Sequence, residues 1–302
     1  MTPPQNEEAI RHLVSTGWLY DHLEDPHIRV VDVRGKVVSR TVEPGVQKAE
    51  YRGVPEAFAA SHIPGAAYVD WTVDIVEPFD PLAAQIAPPA RFAEAMAVRG
   101  IGNDTLVVAY DDHPSSQFAT RLWWALRYYG HTQVCVLDGG WAAWLAEGRP
   151  TTTEVSQPER AAFTSHIEPH WRAAAEDVLK GLQAPHHALV DARDEEQYTG
   201  AIRRGPRGGH IPGAIHLPRE SLFTPDGRFL PPADLQRVVD AAGLEPGEPV
   251  TAYCNGGVAA TSLLFALDML GFKRLANYDG SWNEWTERPD LPVETGGKPW
   301  KS

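Results

Sequence analysis

Short apolar runs alternate with longer helical patterns along this chain, and the alternation occurs twice. In the first half, Ile28 to Val33, Ala67 to Asp70, Thr105 to Tyr110 and Gln133 to Leu137 are compact β-rich runs of the kind that form buried strands. Pro89 to Met96, Gln117 to Tyr129 and Trp141 to Glu147 carry helical spacing, with Gly130 and Gly148 as stop signals. In the second half the apolar run Pro249 to Tyr253 leads into a helix-like segment from Ala259 to Leu270, closed by Gly271. Alternation of this kind predicts an α/β fold whose parallel sheets are flanked by helices on both faces. Such sheets bind ligands beyond the carboxyl ends of their strands.

The two halves are copies. Leu189-Val190-Asp191-Ala192-Arg193 echoes Val31-Asp32-Val33-Arg34, and Gly209-His210-Ile211-Pro212-Gly213-Ala214 echoes Ser61-His62-Ile63-Pro64-Gly65-Ala66. Val250-Thr251-Ala252-Tyr253-Cys254 echoes Val107-Val108-Ala109-Tyr110-Asp111, and Tyr278-Asp279-Gly280-Ser281-Trp282 echoes Leu137-Asp138-Gly139-Gly140-Trp141. Four matched blocks in one order define two similar domains whose loops differ in length. We expect an N-terminal domain over 8–148, a linker over 149–165 and a C-terminal domain over 166–302, the linker being polar and without periodicity.

Composition narrows the setting. A chain of 302 residues with 43% apolar residues suffices for two packed cores. No apolar run reaches the length of a membrane span, and the start Met-Thr-Pro-Pro-Gln-Asn-Glu-Glu lacks the features of a signal peptide, so a cytoplasmic protein is expected. Two cysteines make no disulfide framework and fit a reducing compartment. The net charge of −13 disfavours nucleic acid and anionic membrane surfaces as partners. No cysteine–histidine spacing indicates a metal site, and no cofactor is expected.

Candidate chemistry concentrates at Tyr253-Cys254-Asn255-Gly256-Gly257-Val258-Ala259-Ala260. A cysteine there ends a strand, and two glycines let successive backbone N–H groups curl around whatever its sulfur carries before a helix begins. The N-terminus of that helix adds positive potential, and the loop therefore favours a thiolate or a sulfur-bearing anion. Cys135, inside the apolar run Gln133 to Leu137, reads as a buried inert thiol.

These blocks resemble the tandem rhodanese family, the thiosulfate and 3-mercaptopyruvate sulfurtransferases, from about Trp18 to Pro292. Phe58 followed by His62-Ile63-Pro64-Gly65-Ala66 is similar to the family's N-terminal signature, and Asp279-Gly280-Ser281-Trp282-Asn283-Glu284-Trp285 to its C-terminal one. The resemblance implies two rhodanese domains, a catalytic second domain and a silent first one, since Asp111 stands where Cys254 stands. It implies a nucleophilic Cys254 that becomes a persulfide and passes its sulfur to a thiol or cyanide, with a thioredoxin-like reductant as one expected partner. The N–H groups of Asn255, Gly256, Gly257, Val258, Ala259 and Ala260 would hold the anionic sulfur, and Arg193 aligns with an arginine that binds the anionic donor; a salt bridge to Asp191 or Glu195 is its structural alternative. His62 and His210, equally placed in both copies, read as structural, as do Asp32 and Asp191.

Departures bear on the donor. The thiosulfate enzymes carry basic residues just after the cysteine, whereas Asn255 and Gly256 are neutral, so 3-mercaptopyruvate is expected to be favoured over thiosulfate. The mercaptopyruvate loop Cys-Gly-Ser-Gly-Val-Thr-Ala is matched at Cys254, Gly257, Val258 and Ala260, but Gly256 replaces its serine and Ala259 its threonine. The aspartate that works with that serine is matched by Thr72. A further family arginine aligns with Thr199, with Arg203, Arg204 and Arg207 near enough to substitute. Phosphatases of similar fold need an arginine six residues after the cysteine, and Ala260 stands there. A sulfur-carrying module without turnover remains the alternative reading.

Overall fold

The computed structural model describes residues 12–298 apart from 183 and 185; the expected outer domain limits at 8 and 302 lie outside the described residues. Each half builds a five-stranded, all-parallel sheet. The first orders its strands Leu13–Val14, Val134–Leu137, Leu106–Tyr110, Ile28–Asp32 and Ala67–Tyr68. The second runs Arg172–Ala173, Leu275–Tyr278, Val250–Tyr253, Ala188–Asp191 and Ile215–His216, the same order position by position. The central strands, Leu106–Tyr110 and Val250–Tyr253, are buried almost throughout, as expected where helices cover both faces.

The helix after each central strand is the main contact between the halves. Gln117–Tyr128 packs on Ala260–Met269, both buried along nearly their whole length. Thr120 Oγ1 lies 2.9 Å from Thr261 Oγ1, and Trp123 meets Phe265 edge to face with ring centroids 5.1 Å apart. One continuous apolar core therefore runs from Val31 and Trp71 in the first half to Leu263 and Leu275 in the second. Residues 147–168 carry no helix or strand and run back over the first domain, where Thr152 bridges His62 and Arg160 pairs with Glu94.

One element is absent from the repeat pattern. Strands Gly35–Glu43 and Val46–Gly53 form an antiparallel hairpin, and Val46 and Gln47 pair in parallel with Arg203 and Arg204 of the second half. This three-stranded sheet bridges the two halves beside the carboxyl ends of the second sheet's strands.

Candidate active site

Cys254 follows the strand Val250–Tyr253 directly and is 3% exposed. The second signature staples its loop: Cys254 N–H donates to Ser281 Oγ (3.2 Å), Trp282 N–H to Cys254 O (3.1 Å) and Asn283 N–H to Asn255 O (2.8 Å). Gly257 sits at φ +71°, where an added Cβ would lie 2.6 Å from Asp279 O, so only glycine fits this turn without strain. The Gly257 carbonyl accepts from Asn277 Nδ2 (2.8 Å) and from Arg121 Nη1 (3.0 Å), the latter a side chain of the first domain.

Among the described residues, no N–H group from Asn255 through Ala260 donates to a protein acceptor. Six amides gathered at the start of a ten-residue helix form a ready site for an anion, since dipole and donors converge there. The first domain shows what such a site attracts. Asp111, at the position of Cys254, turns its carboxylate into its own cradle, accepting from His113 N–H (2.9 Å), Phe118 N–H (2.7 Å) and Ala119 N–H (2.8 Å). Burial nonetheless pushes the Asp111 carboxyl up to about 7. The first copy thus fills its cradle with its own acidic side chain where the second copy keeps its donors unspent.

A cavity of about 140 Å³ opens at Cys254, walled by Asn255, Gly256, Val258 and Ala259 of the loop, by Asp194, Gln197, Arg204 and Arg219, and by Val37, Ser39, Tyr51, His113 and Gln117 of the first domain. Arg204 has no carboxylate partner among the described residues; its Nη2 donates to Ser39 Oγ (2.6 Å), which anchors it to the hairpin. Arg219 pairs with the exposed carboxylate of Glu220 at 2.7 Å. His113 is neutral near pH 7, because burial and then Arg219 bring it down to about 4.

The residues expected from sequence are thus partly assembled. Cys254, Asn255, Gly256, Val258 and Ala259 line the cavity, whereas Gly257 and Ala260 do not. Arg193 is absent from the cavity wall and 2% exposed, in the arrangement of its structural alternative, a salt bridge to Asp191. Its Nε and Nη2 donate to Asp191 (2.6–3.1 Å), its Nη2 also to Gly209 O (2.7 Å), and its guanidinium lies 4.5 Å from the Trp282 ring. Arg34 repeats the arrangement in the silent copy, bonded to Asp32 and 4.6 Å from Trp141, which marks both arginines as structural. Arg207 is spent on the carbonyls of Trp285, Thr286, Arg288 and Leu291, and Arg203 on those of Gly205 and Pro206.

His62 and His210 are likewise structural: Nδ1 of each contacts a backbone carbonyl, Phe58 O at 2.7 Å and Tyr198 O at 2.8 Å. Cys135 is fully buried and its thiol pushed up to about 12 by desolvation. Gln197, Arg219, Tyr51 and His113 escaped sequence reading because the first two carry no motif and the last two come from the silent domain. No group of residues among those described has metal-ligand geometry, and no helix of the described residues is long and apolar enough to cross a membrane.

Two parallel α/β domains with one cysteine loop in an anion cradle define the class, and similarity places the chain within it. The rhodanese-like domain model matches residues 15–147 and again 174–288, and the chain belongs to that family. It is 33% identical over 297 residues to the sulfur carrier protein TtuD of Thermus thermophilus, covering 94% of this chain and 96% of that one. It is 34% identical over 294 residues to the thiosulfate sulfurtransferase of Bos taurus, covering 94% of each. The crystal structure of the 3-mercaptopyruvate sulfotransferase SseA from Escherichia coli superposes with a TM-score of 0.78 at 28% identity, over 89% of this chain and 98% of that one.

Proposed function

We propose that this protein is a sulfurtransferase that carries sulfur as a Cys254 persulfide. The observation that carries this reading is the ring of unspent amides from Asn255 to Ala260 around the one cysteine at a cavity. The Cys254 thiolate attacks the outer sulfur of thiosulfate; a sulfur–sulfur bond forms to Cys254, and the bond to the SO₃ group breaks with its electron pair, releasing sulfite. The persulfide anion left on Cys254 is held by the amides until a thiolate or cyanide attacks its outer sulfur and frees the Cys254 thiolate. Charge balances in each half.

The loop's neutrality favoured 3-mercaptopyruvate only while the loop was the sole source of charge. Arg204 and Arg219 stand in the wall, reaching the cavity from outside the loop. Even with the Asp194 carboxylate in the same wall, two guanidiniums leave a net positive charge there, which compensates a small dianion better than dipoles alone and makes thiosulfate the favoured donor. The absence of the serine hydroxyl at Gly256 and of an aspartate at Thr72, which lies outside this cavity, supports the same choice.

A carrier role without turnover has its own support in the likeness to TtuD. The test is intact mass after incubation with thiosulfate or 3-mercaptopyruvate, followed by a thiol. A gain of one sulfur atom that the thiol removes, with turnover on small acceptors, is expected. Loading without turnover would establish the carrier instead, and no loading with either donor would overturn both.

A further inference from the structure

We propose that Tyr51, carried in by the silent domain's hairpin, supplies the active-site hydroxyl that Gly256 lacks and donates a hydrogen bond to the sulfur being transferred at Cys254. A Cβ built on Gly256 would lie 2.8 Å from Tyr51 Oη and 3.2 Å from Asn283 Nδ2, so the phenol occupies the space a side chain at 256 would fill. The hydroxyl accepts from Asn283 Nδ2 (3.2 Å) and has no acceptor for its own proton among the described residues. That proton belongs to a group walling the Cys254 cavity. Burial raises the phenol above its usual range and charge on Cys254 raises it further, so it stays a donor at neutral pH and lies close enough to feel the sulfur.

The ring is fixed independently of the hydroxyl. Tyr51 meets Trp71 edge to face at 5.4 Å, and its backbone is paired in register with Val37 across the hairpin. The phenol is therefore preorganised, as a donor to developing charge must be, and no proton leaves it in either half-reaction. The amides reach the sulfur from the helix side, and Tyr51 reaches it from the first domain.

The inference rests on the Cys254 persulfide, and its test separates the two. In Tyr51→Phe the ring and its packing stay while the hydroxyl goes. We expect kcat with thiosulfate and cyanide to fall ~10–100-fold with KM little changed, as for loss of one preorganised donor to developing charge. Gly256→Ser alone should also be impaired, because its Cβ collides with the phenol oxygen. Combined with Tyr51→Phe, the serine has room and returns a hydroxyl, so the double variant should recover at least ~5-fold in kcat over Tyr51→Phe. Wild-type kcat in Tyr51→Phe, or a double variant no better than Tyr51→Phe, would overturn the proposal. Wild-type protein that takes up no sulfur would instead overturn the persulfide reading.

Discussion

Arg121 Nη1, in the first domain, donates at 3.0 Å to the carbonyl oxygen of Gly257 in the second domain's Cys254 loop. The same guanidinium holds Ala84 O (2.7 Å) and forms an ion pair with Asp279 Oδ1 (2.7 Å), both side chains being about 1% exposed. Asp279 Oδ2 in turn accepts from Ile86 N–H (3.0 Å) and Arg172 Nε (3.1 Å). The first domain thus braces the Gly257 carbonyl of the Cys254 loop from across the domain boundary.

Arg121→Met should cost about 3 kcal/mol or more of stability, since it leaves the buried Asp279 carboxylate short of one cation. Turnover should fall further than the stability loss explains, because the Gly257 carbonyl is released. Thermal unfolding alongside kcat/KM at a temperature where the variant is folded checks both; unchanged turnover in a folded variant would deny the domain its positioning role.

Cys254→Ser should take up no sulfur and turn over no donor while keeping the fold, because a hydroxyl neither ionises here nor holds transferable sulfur. Cys135→Ala should load normally, its thiol being held protonated by burial at about 12. Intact mass distinguishes the two, and an inactive Cys135 variant beside a loaded Cys254 variant would reverse the site.

Gly257→Val should lose most activity. At φ +71° any non-glycine residue costs about 1–3 kcal/mol in backbone strain, and its Cβ would press on Asp279 O. Near-normal kcat in that variant would show that the cradle's shape is dispensable.

Arg204→Gln should lower kcat/KM for thiosulfate by ~10–100-fold, as expected for losing a charge-assisted contact to the donor. Arg193→Lys should instead lower the melting temperature with little change in KM, since an ammonium cannot reproduce the forked bonds to Asp191 and Gly209. Comparing kcat/KM for thiosulfate and 3-mercaptopyruvate across wild type and both variants decides the matter; a KM effect at Arg193 and none at Arg204 would restore the assignment made from sequence.

Two buried groups set opposing pH dependences. The Asp111 carboxyl is raised from 3.8 to about 7, so the folded state binds more protons than the unfolded one between those values, and this contribution falls as pH rises from about 4 to about 7. His113 is lowered from 6.5 to about 4, so the unfolded state binds more protons and its contribution rises with pH between about 4 and 6.5. Asp111→Asn should therefore make stability climb with pH across that window, and His113→Gln should make it decline. Urea midpoints at pH 4.5, 5.5 and 6.5 test this, and parallel profiles for the two variants would refute it.

Legibility followed the source of each signal. The strands Ile28–Asp32, Leu106–Tyr110 and Val250–Tyr253 were readable because burial on both faces leaves continuous apolar runs. The hairpin Gly35–Gly53 was not, because its Lys36–Glu43 stretch is mostly solvated and carries no apolar face of period two. Its partner strand is only Arg203–Arg204, too short for any pattern. With the hairpin went Ser39, Tyr51 and the anchoring of Arg204. Arg193 was left between two readings for a different reason: alignment conveys position in the chain, whereas the bidentate pair with Asp191 that turns the side chain into the core is visible only in the structure.

By itself the sequence determined the two copies, the apolar strands at their centres, and the cysteine with its glycine turn at the end of the second copy's central strand, because these depend on local chemistry and on burial that leaves a periodic trace. Only the tertiary structure decided which cations and which hydroxyl face Cys254, and what supports its loop. Arg204, Arg219, Tyr51 and Arg121 reach the site across 35 to more than 200 residues of chain, and no local pattern encodes a meeting of side chains that the packing of one domain on another creates.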